Sequence, residues 1–180
     1  MSSCTVKFIK IGGVSVWAAD EKGTPLYQTP QVSDTTVTAP SIEFGTTDVN
    51  IMGTLSVPDF TRLDNFQLGV NIPVDNPEAK KLRKLGLQQW IISYVVSNMD
   101  AATGLETLTG YRIYAKGYVT SLPNAELSVG GDGMADLTMN LVSYKKWALG
   151  GSVAEYDIDR LTGKVEIDGV NYSNDANSLF

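Results

Sequence analysis

Three pairs of carboxylates are the first residues in this chain that could do chemistry: Asp132 with Asp136, Asp157 with Asp159, and Glu166 with Asp168. Two carboxylates flanking a sugar bond hydrolyse glycosides, and clustered carboxylates hold hard cations. Here Asp157 and Asp159 stand two residues apart in a strand-like run, as do Glu166 and Asp168. Residues two apart on a strand share a face. Each pair therefore marks a solvent or lumen face more naturally than a cleft.

Residue types close the other common routes to catalysis. The chain has no histidine, which removes the usual neutral-pH base and the usual zinc ligand. Its serines have no histidine partner. Cys4 is the sole cysteine, so there is no intrachain disulfide and no cysteine metal cluster. Gly130-Gly131-Asp132-Gly133 lacks the lysine and Ser/Thr of a phosphate loop. Gly12-Gly13 does not open a nucleotide-binding helix. Asp159 to Gly163 lacks the alternating oxygen ligands of a calcium loop. The chain reads as a non-enzyme with no catalytic residue, cofactor or metal.

Binding chemistry is better represented. Tyr94, Tyr111, Tyr114 and Tyr118 could form a stacking platform for a sugar or single-stranded nucleic acid. Tyr114 and Tyr118 share a strand face with Arg112 and Lys116. The competing reading is aromatic packing at a sheet or subunit interface. A second cluster, Lys80, Lys81, Arg83 and Lys84, reads as the wet face of a helix or as an outer contact, to DNA or to an acidic neighbouring subunit.

The balance of 14 Lys+Arg against 20 Asp+Glu gives a net charge of -6. Tight nucleic-acid binders carry a basic footprint, so an acidic chain argues against that role. It leaves room for a wall past which DNA slides without sticking. Charged residues are 19% of the chain, few for a solvated globule, whereas the hydrophobic share of 43% supports a real core. A weakly charged Ser/Thr/Asn/Gly surface suits burial in an assembly. The first seven residues show no basic stretch followed by an apolar core, and no apolar run reaches membrane-spanning length. Cytoplasmic synthesis is the expectation.

The elements that position these residues are mostly strands. Phe8 to Trp17 reads as two short strands joined by a turn or bulge at Gly12-Gly13. Phe66, Leu68, Val70 and Ile72 alternate with polar residues, the pattern of a half-buried strand. Trp90 to Ser97, Tyr111 to Thr120, Leu137 to Leu141, Ala154 to Ile158 and Val165 to Ile167 follow in the same style. One helix is expected from Asn76 to Leu85, capped by Asn76, opened by Pro77 and stopped by Gly86. The pattern predicts a mainly β fold, a barrel or sandwich of antiparallel strands with one short α-helix, in a single domain over 1–180.

The segment 41–56 is the least regular. Ile42, Phe44, Val49, Ile51 and Met52 would be a liability on a free loop unless a neighbouring subunit covers them or they fold back on their own core. The tail, 171–180, is polar but ends Leu179-Phe180, which reads as a docking arm or a frayed end.

From Phe66 onward the chain resembles the major tail tube protein of contractile-tailed bacteriophages and related contractile bacteriocins. The likeness is densest at Gly110-Tyr111-Arg112-Ile113-Tyr114-Ala115-Lys116-Gly117, Leu122-Pro123, and Met139-Asn140-Leu141-Val142-Ser143-Tyr144. It continues through Tyr156-Asp157-Ile158-Asp159 and Lys164-Val165-Glu166-Ile167-Asp168-Gly169-Val170-Asn171. The resemblance implies a subunit that forms homo-hexameric rings stacked into a hollow helical tube, with a fold shared by the type VI secretion tube. A sheath protein would surround the tube, and baseplate and tape-measure proteins would be further partners. DNA would be only passing, non-specific cargo, or the tube would act as a penetrating needle. The location implied is a virion tail or bacteriocin particle assembled in a bacterial cytoplasm. On this reading Ile42, Phe44, Val49, Ile51 and Met52 stack rings. Asp157, Asp159, Glu166 and Asp168 face lumen or solvent. Deleting 42–52 is expected to leave a folded subunit that no longer stacks. The alternative is an isolated β-sandwich module binding glycan or single-stranded nucleic acid on its tyrosine face.

Overall fold

The alternating runs form strands that curl around one core. The computed structural model describes residues 7–19, 25–28, 36–73, 75, 82–131 and 133–172. The strands are β1 (Lys7–Ala19), β2 (Pro25–Gln28), β3 (Thr36–Thr38), β4 (Glu43–Asn50), β5 (Thr54–Asp64) and β6 (Gln67–Pro73). After them come β7 (Gly86–Asp100), β8 (Glu106–Val119), β9 (Met134–Ala148), β10 (Tyr156–Asp159), β11 (Lys164–Ile167) and β12 (Val170–Asn171). All the pairings are antiparallel. The expected mainly β fold is what the chain adopts.

Ten strands make one sheet in the order β12-β11-β10-β9-β8-β7-β1-β2, with β6 paired to β9 and β3 paired to β6. β9 is the branch point. Its residues Met134 to Asn140 pair with β6, and Ser143 to Lys146 pair with β10 along the same edge. At the junction Leu141 donates its N–H to the Phe66 carbonyl, and Arg160 donates to the Val142 carbonyl. The strand, 15 residues long, carries both, and a bulge at Val142 shifts its register against β8, between Lys116 and Gly117. Gly117 is required there. A Cβ on it would stand 2.1 Å from the Asn140 carbonyl oxygen.

The core takes one face of each strand. Leu68, Val70 and Ile72 of β6 meet Trp90 and Ile92 of β7 and Ile113 and Ala115 of β8. Leu137, Met139, Leu141 and Tyr144 of β9, Ile158 of β10 and Val165 of β11 complete it. Burying an aliphatic or aromatic side chain contributes about 1.5–3 kcal/mol, so this set supplies most of the drive to fold. Phe8 to Trp17 forms the single strand β1, bulged between Gly12 and Ser15, so the Gly12-Gly13 signal marks the bulge. The helix expected over Asn76–Leu85 lies outside the described residues up to position 81. Residues 82–85 are turn and irregular chain, with Leu82 buried.

β4 and β5 form a separate two-stranded sheet, a ribbon that among the described residues pairs with no other strand.

Candidate functional site

The ribbon's register sorts its residues into two faces. Thr47 lies opposite Val57, and Val49 opposite Leu55. Directly opposed residues share a face, so Val49, Leu55 and Val57 make one apolar stripe. Asp48 opposite Ser56 belongs to the polar side, where the Ser56 hydroxyl donates to Asp48 Oδ1 at 2.7 Å. The strands are joined by Ile51-Met52-Gly53, with Met52 at φ 49° and Gly53 at φ 124°. Gly53 fits that backbone; Met52 does so at a strain cost of about 1–2 kcal/mol. The tip is apolar and wet: Ile51 is 62% exposed, Leu55 51%, and Met52 fully exposed.

The base of the ribbon is anchored. Between the pairs Phe44–Leu63 and Gly45–Asp59, β5 carries the unmatched residues Phe60, Thr61 and Arg62. This bulge breaks the ribbon's register at its base. Phe60 sits edge-on to Phe44 and 5.2 Å from the Tyr172 ring. Ile42, Phe44 and Leu63 pack on the core.

The five residues expected to stack rings thus divide. Ile42 and Phe44 fold back on their own core, Val49 is half-buried, and Ile51 and Met52 are presented to solvent. A deletion of 42–52 would remove the anchor together with the tip. Leu55 and Val57 belong to the same apolar stripe and were not singled out from sequence. Their signal is the spacing of Val49 and Leu55 about a glycine-containing tip.

A groove of about 450 Å³ lies where the ribbon leaves the body. Phe60, Leu63, Ile158 and Val165 give it an apolar lining, and Arg62, Asp159 and Arg160 are its charged residues. Arg160 is held in place: its guanidinium donates to the Leu63 carbonyl at 2.8 Å and lies 5.4 Å from the Phe66 ring centroid. Arg62 pairs loosely with Asp64 at 3.8 Å, both groups being about half exposed or more. Asp159 is occupied, accepting the Leu161 N–H at 2.9 Å.

The four candidate acids do not form a bare acidic surface. Lys164 reaches Asp157 at 2.8 Å and Glu166 at 3.8 Å. Its hydrogen bond and charge pairing with Asp157 hold the Lys164 ammonium above its ordinary pKa. Asp168 is exposed in the β11–β12 turn at φ 52°. Asp132 lies outside the described residues, while Asp136 accepts from Asn71 Nδ2 at 2.7 Å. Among the described residues, no three His, Cys, Asp or Glu side chains converge to hold a metal ion.

The four tyrosines split between two faces of the sheet. Tyr94 and Tyr111 stack on the core side, centroids 5.2 Å apart, beneath Lys146. Tyr114 stacks on the opposite face against Trp147 at 4.7 Å, with Lys145 5.6 Å from the Trp147 ring centroid. Tyr118 is exposed near Lys116 on that second face. The four tyrosines therefore do not make one platform: of the two readings, aromatic packing describes the Tyr94–Tyr111 pair, while Tyr114 stacks on Trp147 on the other face. Sequence reading missed Trp147 and Lys145, which cross-strand pairing sets beside Arg112 and Tyr114.

Of the basic cluster, Lys80 and Lys81 lie outside the described residues. Arg83 is half-buried and donates to the Pro123 carbonyl at 2.8 Å, and Lys84 is exposed. The tail 173–180, with Leu179 and Phe180, also lies outside them. Among the described residues no helix is long and apolar enough to cross a membrane. Comparison with protein-family models and with curated proteins gives no match for this chain.

Proposed function

We propose that this chain is a structural, non-catalytic subunit that associates with copies of itself into stacked hexameric rings, forming the hollow inner tube of a contractile injection machine. Its partners would be the surrounding sheath, baseplate and tape-measure proteins, with DNA as passing cargo, in a virion tail or bacteriocin particle. One observation carries the self-association: the tip of the β4–β5 ribbon exposes Ile51, Met52 and Leu55 to solvent, and among the described residues the ribbon's strands pair only with each other. An isolated two-stranded ribbon is marginal in water, and uncovered strand edges with apolar residues are sites of pairing between chains. The tube architecture itself rests on the sequence resemblance.

A second reading, a ligand-binding module, is favoured by the Tyr114–Trp147 stack with Lys145 and Arg112 on the face away from the core. Negative-stain electron microscopy of the purified protein over a concentration series separates the two. Hollow tubes or six-fold rings are expected. Uniform small particles at every concentration and salt would overturn self-assembly and leave the binding module standing.

A further inference from the structure

The geometry points to the acceptor for the ribbon tip: Ile51 and Met52 of one copy seat in the groove lined by Phe60, Leu63, Ile158 and Val165 of a second copy. This rests on the self-association reading above and adds which two surfaces meet.

Three observations converge on it. The tip offers two adjacent exposed apolar side chains, and the groove, at the base of the same ribbon, presents the half-buried Phe60 and Leu63 with the buried Ile158 and Val165 behind them. A volume of about 450 Å³ lies within the range that encloses a small ligand, so it accommodates two side chains. Methionine is unbranched and flexible, suited to filling an irregular recess. Charge agrees as well. Between Phe44 and Pro58 the ribbon carries one charged residue, Asp48, and no cation. The groove presents Arg62 and Arg160, while Asp159 is turned to the Leu161 amide.

The tip cannot fill its own groove, and the occupant we assign is another copy. The strand from Gly45 to Asn50 is six residues long, and at about 3.3 Å per residue it holds the tip roughly 20 Å from its own groove. A knob and its hole at different places on one molecule make a heterologous contact, each copy offering a tip to one neighbour and a groove to another. Such a contact propagates into an open succession of subunits and needs no second protein.

Disulfide trapping tests this pairing. In a Cys4→Ser background, Met52→Cys is combined with Thr61→Cys on the groove wall, and the assembled protein is mildly oxidised. A ladder of dimers, trimers and longer species on a non-reducing gel, collapsed by reductant, is expected for the double variant. Neither single-cysteine variant should pass the dimer. Rings or tubes by electron microscopy without a ladder would overturn the groove assignment and leave self-association intact. Absence of any assembly under all conditions would remove both.

Discussion

Phe44 and Phe60 meet edge-on across the base of the ribbon, ring centroids 5.0 Å apart with planes at 76°. The contact joins the first residues of β4 to the bulge of β5, where Phe60 also reaches Tyr172 at 5.2 Å. Beyond Gly45 the ribbon's strands pair, among the described residues, only with each other, so this contact ties the ribbon to the body. Phe60→Ala removes both ring contacts from a half-buried site. The expected loss is about 1–2 kcal/mol, below the cost at a fully buried phenylalanine. A urea midpoint measures it. Assembly should weaken along with it, because the tip loses its fixed position. An unchanged midpoint would mean that Phe60 anchors nothing.

The tip should behave in the opposite way. Ile51→Asp and Met52→Asp alter exposed residues outside the core, and such changes stay within about 0.5 kcal/mol of the parent. Sedimentation velocity should show loss of large species while the thermal melt is unmoved. A shortened ribbon lacking 46–57, closed by a two-residue turn, should give the same result, because Ile42, Phe44 and Leu63 keep their packing. If the tip variants assemble as the parent does, the ribbon is not the contact.

Gly117 and Gly110 lie on the same strand and separate two kinds of crowding. A Cβ at Gly117 would meet the Asn140 carbonyl oxygen at 2.1 Å, and the Met139 side chain would leave it no escape at 2.8 Å. At Gly110 the nearest atom, at 2.9 Å, is the Cδ1 of Leu149, a half-exposed side chain that can rotate away. Gly117→Ala should therefore cost about 3 kcal/mol or more, the upper end for overpacking, and Gly110→Ala less than about 1. Soluble yield and urea midpoints give the comparison. Equal effects would mean that the β8–β9 bulge relaxes freely.

These contacts explain which parts of the fold were legible in the sequence. Phe66, Leu68, Val70 and Ile72, and the runs on β7 and β8, keep one face in the core, so a period of two survives in the chain. On β9 the period breaks. Leu137, Met139 and Leu141 point inward, the bulge at Val142 adds a residue, and the inward positions become Tyr144 and Lys146. The phase slip hides the second half of the strand, and with it Lys145 and Trp147 on the outer face. The ribbon is obscured for a related reason. Phe60 to Arg62 interrupt its register, and its apolar stripe is short and faces no core of its own. Asp157 and Asp159 were legible as one strand face, but the pairing of Asp157 with Lys164 depends on a turn that brings β11 back against β10.

Alkaline pH should destabilise the protein through two groups on β9. Tyr144 is buried, and burial, followed by the nearby charges of Tyr94, Tyr156 and Glu155, pushes its phenol well above the ordinary value of 10.0. For Lys146, burial favours the neutral amine. The hydrogen bond and charge of Tyr94 and the carboxylate of Glu155, 3.4 Å away, outweigh it and raise the pKa above 10.5. The unfolded chain has neither environment, so it loses both protons first as pH rises. Above about pH 10 the folded state therefore binds more protons than the unfolded one, and stability falls with pH. Below that range both states are protonated at these sites and their contribution is complete. The urea midpoint should decline between pH 10 and the raised pKa values. Tyr144→Phe cannot ionise and should flatten the decline, leaving the part due to Lys146. Lys146→Met should remove that remaining part, though it lowers the midpoint at every pH through lost contacts with the Tyr94, Tyr111 and Tyr156 rings. An identical alkaline slope in parent and Tyr144→Phe would show that the phenol ionises as readily in the folded chain as in the unfolded one.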